Sequence, residues 1–147
     1  MACALVALAV SCSDNKASIP PPRALDKSAA IDTGDAVCKQ YAADRKQLID
    51  TFKASHSSPS ADEARDFLVN TLVPRTERMV GDFHRIGEPT KDRTGWDRIV
   101  RALDDDLTDF KAGIGDDPVA QIDERPFAKD TKLFDDYGFK ECGKQLA

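Results

Sequence analysis

The chain has 147 residues and a mass of 16.1 kDa, the length of one domain with some margin at its ends. Its composition, 41% apolar, 32% charged and 7% aromatic, is too apolar for a disordered chain and ordinary for a small helical one. Twenty-one Lys and Arg against 26 Asp and Glu leave a formal charge of −5, which argues against nucleic acid as a partner, because neutralising phosphates needs a basic face.

The first segment, MACALVALAVSC, is apolar and uncharged from Ala2 to Val10. Such a run falls short of the ~20 residues that a membrane-spanning helix needs, and it suits the hydrophobic stretch of a secretion signal. Residues 1–11 are therefore expected to be a signal peptide, although no Lys or Arg precedes the apolar run. Its end, Ala9-Val10-Ser11-Cys12, resembles a bacterial lipobox with Ala9 where Leu is usual, which makes Cys12 the candidate for lipidation. Ordinary cleavage after Ala7-Leu8-Ala9, giving a secreted protein, remains the alternative. Residues 12–30 include Pro20, Pro21 and Pro22 among small and polar residues, the composition of an extended tether. Fully stretched at about 3.1 Å per residue, it reaches up to about 50 Å.

Residues 31–147 are expected to fold as an all-α domain, a four-helix bundle with a kinked second helix. The first helix is expected from near Asp35 to near Ser55, capped by Asp32 or Thr33. Its stripe runs Cys38, Tyr41, Leu48 and Phe52, interrupted by Arg45. The second opens on Ser60-Ala61-Asp62-Glu63, a capping box, and stops at Gly87. Pro74 lies inside it and predicts a kink or a break. The third carries Trp96, Val100, Leu103, Leu107, Phe110 and Ile114 at alternating spacings of four and three, with Thr94 and Asp97 as a capping pair and Gly113 and Gly115 at its end. The fourth begins at Asp117-Pro118 and is interrupted at Pro126. It ends at Tyr137-Gly138, where a Schellman turn would bring Phe139 onto Phe134.

Four cysteines are present: Cys3, Cys12, Cys38 and Cys142. Cys3 leaves with the signal peptide, and an acylated Cys12 leaves two that can pair. A Cys38–Cys142 disulfide would tie the two ends of the domain together. A metal pair or two buried thiols are the alternatives, and the two histidines, His56 and His84, offer few further ligands.

The layout of lipobox, Pro-rich tether and helical domain, with the C-terminal stretch Tyr137-Gly138-Phe139-Lys140-Glu141-Cys142-Gly143, resembles small helical lipoproteins of actinobacteria. That resemblance implies a cell-envelope location and no particular chemistry.

No nucleophile motif, phosphate-binding loop, haem signature or metal-binding helix motif occurs, so no catalytic residue, metal or cofactor is assigned. His84 near Asp82 or Glu88 could form an acid–base pair, but it reads more simply as a surface histidine at a helix C-terminus. From Ala102 to Asp136 eleven Asp and Glu face four Lys and Arg; this stretch, with Asp104, Asp105 and Asp106 in a row, reads as a solvated acidic face. Two functions are expected in competition. One is a non-enzymatic envelope module, anchored to the outer face of the membrane through its N-terminal lipid, which binds or scaffolds another envelope protein. The other is a carrier for a small apolar or lipid ligand, held near the Pro74 kink among Leu72, Met79, Phe83, Trp96 and Val100. A hydrolase of unrecognised type is a distant third.

Overall fold

The computed structural model describes residues 25–146; the expected signal peptide, Cys12 and most of the tether lie outside them. Every regular element among the described residues is helical, with no strand. None of the helices is long and apolar enough to cross a membrane.

Helix α1 (Lys27–Ser55) starts well before the expected Asp35, inside the stretch assigned to the tether. The reason is local: Asp26 is extended and its carboxylate accepts from Ala29 N–H at 2.8 Å, so the helix is capped there and not at Asp32 or Thr33. The next chain segment is α2 (Ala61–Phe67), a π-helical turn (Leu68–Leu72) and α3 (Val73–Ile86) in succession. The capping box at its start forms as expected, with Ser60 N–H donating to Glu63 and Glu63 N–H to Ser60. The Ser60 N–H, with the Ser60 hydroxyl donating to the same oxygen, holds the Glu63 carboxyl below its usual range. Pro74 falls in the first turn of α3, just past the wide π turn. There its missing N–H and its ring meet a backbone already off the α ladder. Gly87, at φ 81°, ends the helix as expected.

Helix α4 (Arg93–Gly113) is capped by Asp92, which accepts from Gly95 N–H at 3.2 Å, in place of the expected Thr94–Asp97 pair. Asp92 also meets Lys27 at 2.7 Å, and this ammonium sets its carboxyl below the ordinary value. The expected fourth helix is instead a series of short pieces: α5 (Pro118–Gln121), a 3-10 turn (Ala128–Asp130), α6 (Thr131–Tyr137) and α7 (Cys142–Leu146). Pro126 lies in the break between α5 and the 3-10 turn. The Schellman turn closes as the sequence predicts. Gly138 is left-handed at φ 112°, Phe139 N–H donates to Phe134 C=O at 3.1 Å, and the two rings pack edge to face with centroids 5.8 Å apart.

Cys38 and Cys142 are bonded, with Cα atoms 5.1 Å apart and a separation of 104 positions in sequence. One turn before Cys38, Asp35 is buried and reaches the same place. Its carboxylate accepts from the backbone N–H groups of Lys140, Glu141 and Cys142 at 2.9, 2.8 and 3.0 Å. A short helix leaves its first amides without intrahelical partners, and here α1 supplies the cap for α7 from more than one hundred residues away. The covalent and the polar fastening are thus one structure.

The core divides into two clusters. The first lies at the disulfide end and includes Tyr41, Phe83, Trp96, Phe134 and Phe139. The second lies at the π-turn end and includes Phe52, Phe67, Leu68, Leu72 and Phe110.

Candidate functional site

Polar side chains separate the two clusters, one from each long helix. On α1, Arg45 follows Tyr41 of the first cluster and precedes Ile49 of the second. On α3, Thr76 lies between Val73 and Met79; on α4, Asp106 lies between Leu103 and Phe110. All three stand at the three-four spacing of their helix's inward face, so the sequence carries them to the interior whatever their polarity.

Each finds a different partner. Thr76 donates its hydroxyl to Leu72 C=O at 2.8 Å, so Tyr41 must be the donor in the 3.1 Å bond between the two hydroxyls. Burial pushes the Tyr41 phenol above its usual value. Arg45 crosses to the loop after α5, donating to Ile122 C=O at 2.9 Å and to Glu124 C=O, while its Nε is buried without a partner. Burial lowers the affinity of this guanidinium for its proton.

Asp106 is the outlier of the acidic run. Asp105 is exposed and Asp104 only half-buried, but Asp106 is 1% exposed, which corrects the expectation of a solvated acidic face at this one position. Lys129 Nζ sits 2.7 Å from its Oδ1 and 2.7 Å from Asp109 Oδ2, and neither Asp106 oxygen accepts an aligned hydrogen bond. Burial raises its carboxyl to about 6; Lys129 opposes the shift and the neighbouring Asp130 adds to it. Lys129, held by the two carboxylates, is raised in turn.

The segment from Ile122 to Asp130 is therefore tacked down from both sides, by Arg45 on α1 and by Asp106 and Asp109 on α4. A cleft opens on each side of it. The larger, about 430 Å³, lies against α1 and the C-terminal residues Lys144–Leu146. Its floor is apolar, with Ile49, Phe127 and Leu146, and its sides carry Arg45, Lys46, Lys53, Arg125 and Lys144 against Asp50 and Asp123. The other, about 390 Å³, lies against α4 and is predominantly acidic, with Asp106, Asp109, Asp116 and Glu124 in its walls.

The residues expected to surround an apolar ligand do not share one place. Leu72 belongs to the second cluster, Met79, Phe83 and Trp96 are packed inside the first, and Val100 borders the first. None of the five lines either cleft. His84 pairs with neither Asp82 nor Glu88; its Nε2 meets Asp104 Oδ1 at 3.0 Å on the surface between α3 and α4. His56 lies flat on Phe52 with centroids 4.5 Å apart. Among the described residues no group of three or more His, Cys, Asp or Glu is arranged to hold a metal ion.

Reading from the sequence missed the larger cleft, because its two walls are far apart along the chain. One signal was present: Arg45 interrupts an otherwise apolar stripe. A charge at an inward position needs a partner from another element, and here that partner is a loop nearly eighty residues away.

No protein-family model, no curated protein and no solved structure matches this chain.

Proposed function

We propose that this chain is a non-enzymatic module of the cell envelope that binds another protein, held at the outer face of the membrane by a lipid on Cys12 and a Pro-rich tether. In this reading the body is a variant of the four-helix bundle: α1, the α2–α3 rod bent at its π turn, and α4 form three members, and α5 to α7 replace the fourth. The observation that carries the binding role is the open cationic cleft between α1 and the 122–127 segment, since an apolar floor with charged walls suits recognition of another molecule at a surface. The disulfide supports the location, because such bonds persist in oxidising compartments. The likeness to actinobacterial lipoproteins points the same way.

Site-specific photo-crosslinking in the producing cell tests the proposal. A benzophenone side chain placed at Lys46, beside the cleft, should give a discrete adduct with one envelope protein. The same group at exposed Arg101 should not. Cys12→Ser should release the protein from the membrane fraction. No adduct from any position around the body would reject the binding role.

A further inference from the structure

The larger cleft does not end at Lys53. Residues 41, 42, 45, 46, 49, 50 and 53 of α1 line it at helical spacing, and residues 52, 53 and 56 continue the same strip into a second hollow of about 200 Å³. Lys53 and Asp123 belong to both hollows, bridged across the groove at 2.7 Å. The second hollow has its own apolar surface, from Phe52, Pro59, Ile122 and Val119. Val119 is 40% exposed and one of two large apolar side chains left open on the described surface. From Tyr41 to His56 the strip runs about 22 Å at ~1.5 Å per residue, the span of some six or seven residues of extended chain at ~3.3 Å each.

We propose that this groove takes an extended acidic peptide segment of a partner protein, which seats one apolar side chain in each hollow. The inference rests on the protein-binding reading above and names its partner's chemistry. Charge complementarity supplies the first argument. Around the first hollow Arg45, Lys46, Lys53 and Lys144 face Asp50 and Asp123, or three acids once Glu141, 3.9 Å from Lys144, is included. This local surplus stands on a chain whose formal charge is −5. Beneath it, the Arg45 guanidinium donates to two backbone carbonyls and forms no ion pair with a carboxylate of the groove at contact distance.

The existing ion pairs at the rim can be exchanged. Lys46–Asp50 and Lys53–Asp123 are each half or more exposed, and such pairs are worth little, so an incoming carboxylate can replace either acid at small cost. Shape supplies the second argument. A compact anion would fill one hollow and leave Val119 uncovered, whereas an extended chain crosses the Lys53–Asp123 bridge and covers both. Neither hollow is walled by the acidic stretch of α4, which lies on the far side of the 122–130 segment.

The test uses the oxidised full chain and a fluorescein-labelled seven-residue peptide of alternating glutamate and leucine, followed by fluorescence anisotropy. Saturable binding that weakens with added salt is expected. Lys46→Glu combined with Lys144→Glu should weaken it about tenfold or more, and Val119→Ser should weaken it severalfold, without change in far-ultraviolet circular dichroism. Lys111→Glu, on α4 and outside both hollows, should leave it unchanged. Should the double variant not fold, Val119→Ser alone decides, because that side chain is already exposed. Binding indifferent to these substitutions, or displaced by inorganic phosphate at the concentrations at which unlabelled peptide displaces it, would overturn the inference. The two proposals fail separately: a cellular adduct from another face, with no peptide bound here, leaves the module and removes the groove.

Discussion

The two ends of the core are held by different means. At the disulfide end, α1 grips α7 through Cys38–Cys142 and through the Asp35 carboxylate on three successive amides, and aromatic rings fill the space around them. At the π-turn end no covalent bond acts; Phe52 stacked on Phe67 at 4.2 Å, with Leu68 and Leu72 fully buried, holds α1 against α2 chiefly by packing, with exposed ion pairs such as Lys53–Asp123 at the rim. The comparison teaches where a small domain places its constraints. The disulfide end must hold the short C-terminal pieces against the long helices, and those pieces have little helical stability of their own, so it needs fasteners. The other end is built mainly from long helices, which do not. Between them runs a polar layer of Arg45, Thr76 and Asp106.

Removing the bond is the largest perturbation available. Cys38→Ala with Cys142→Ala should cost about 3 to 5 kcal/mol in urea unfolding, near the limit expected for closing so long a loop. Amide hydrogen exchange on this variant sharpens the contrast: residues 131–146 should lose protection before α2 and α3. Equal loss at both ends would break the comparison and make the two clusters one cooperative unit. At the packed end, Leu68→Ala should cost about 2 to 4 kcal/mol through the cavity it leaves, because rigid neighbours on all sides cannot collapse onto it.

The polar layer should respond with the opposite sign. Asp106 keeps its proton up to about pH 6 in the folded protein, against an ordinary value of 3.8, so the folded state binds a proton that the unfolded chain has released. Stability should therefore fall as pH rises from about 4 to about 6 and lose nothing more to this group above that. Asp106→Asn should remove the slope and stabilise the protein at pH 7 by about 1 to 3 kcal/mol, the lower part of that range applying because the Lys129 ammonium, 2.7 Å away, already offsets part of the cost of burying the carboxylate. Urea midpoints of both proteins at pH 4.5 and pH 7 check this; a variant less stable at pH 7 would show that the Lys129 contact outweighs the burial. The smallest effect is expected at Asp35→Asn, about 1 to 2 kcal/mol, read as faster exchange confined to residues 140–146.

Much of this was legible along the chain. The capping box at Ser60, the stop at Gly87, the stripe from Trp96 to Ile114 and the turn from Tyr137 to Phe139 depend on residues within a few positions of one another. Periodicity and hydrogen-bond geometry of that range are written directly in the sequence. Pairing Cys38 with Cys142 was legible for another reason: with Cys3 and Cys12 expected to be otherwise engaged, parity favoured joining those two sulfurs over a metal pair or buried thiols. The start of α1 was misplaced because Asp26 offers the same capping chemistry as Asp32, and local chemistry does not rank two good caps.

Tertiary structure decided what depends on distant chain. The three-four spacing from Leu103 to Phe110 carries Asp106 inward, but that Lys129 meets it there, together with Asp109, follows from where the 128–130 turn lies against α4. That Asp35 caps α7, and that Arg45 holds the loop behind the cationic groove, follows from contacts across 77 to 107 residues. A buried polar group must be satisfied by something, but its identity is fixed only when the packing brings one candidate within hydrogen-bond reach.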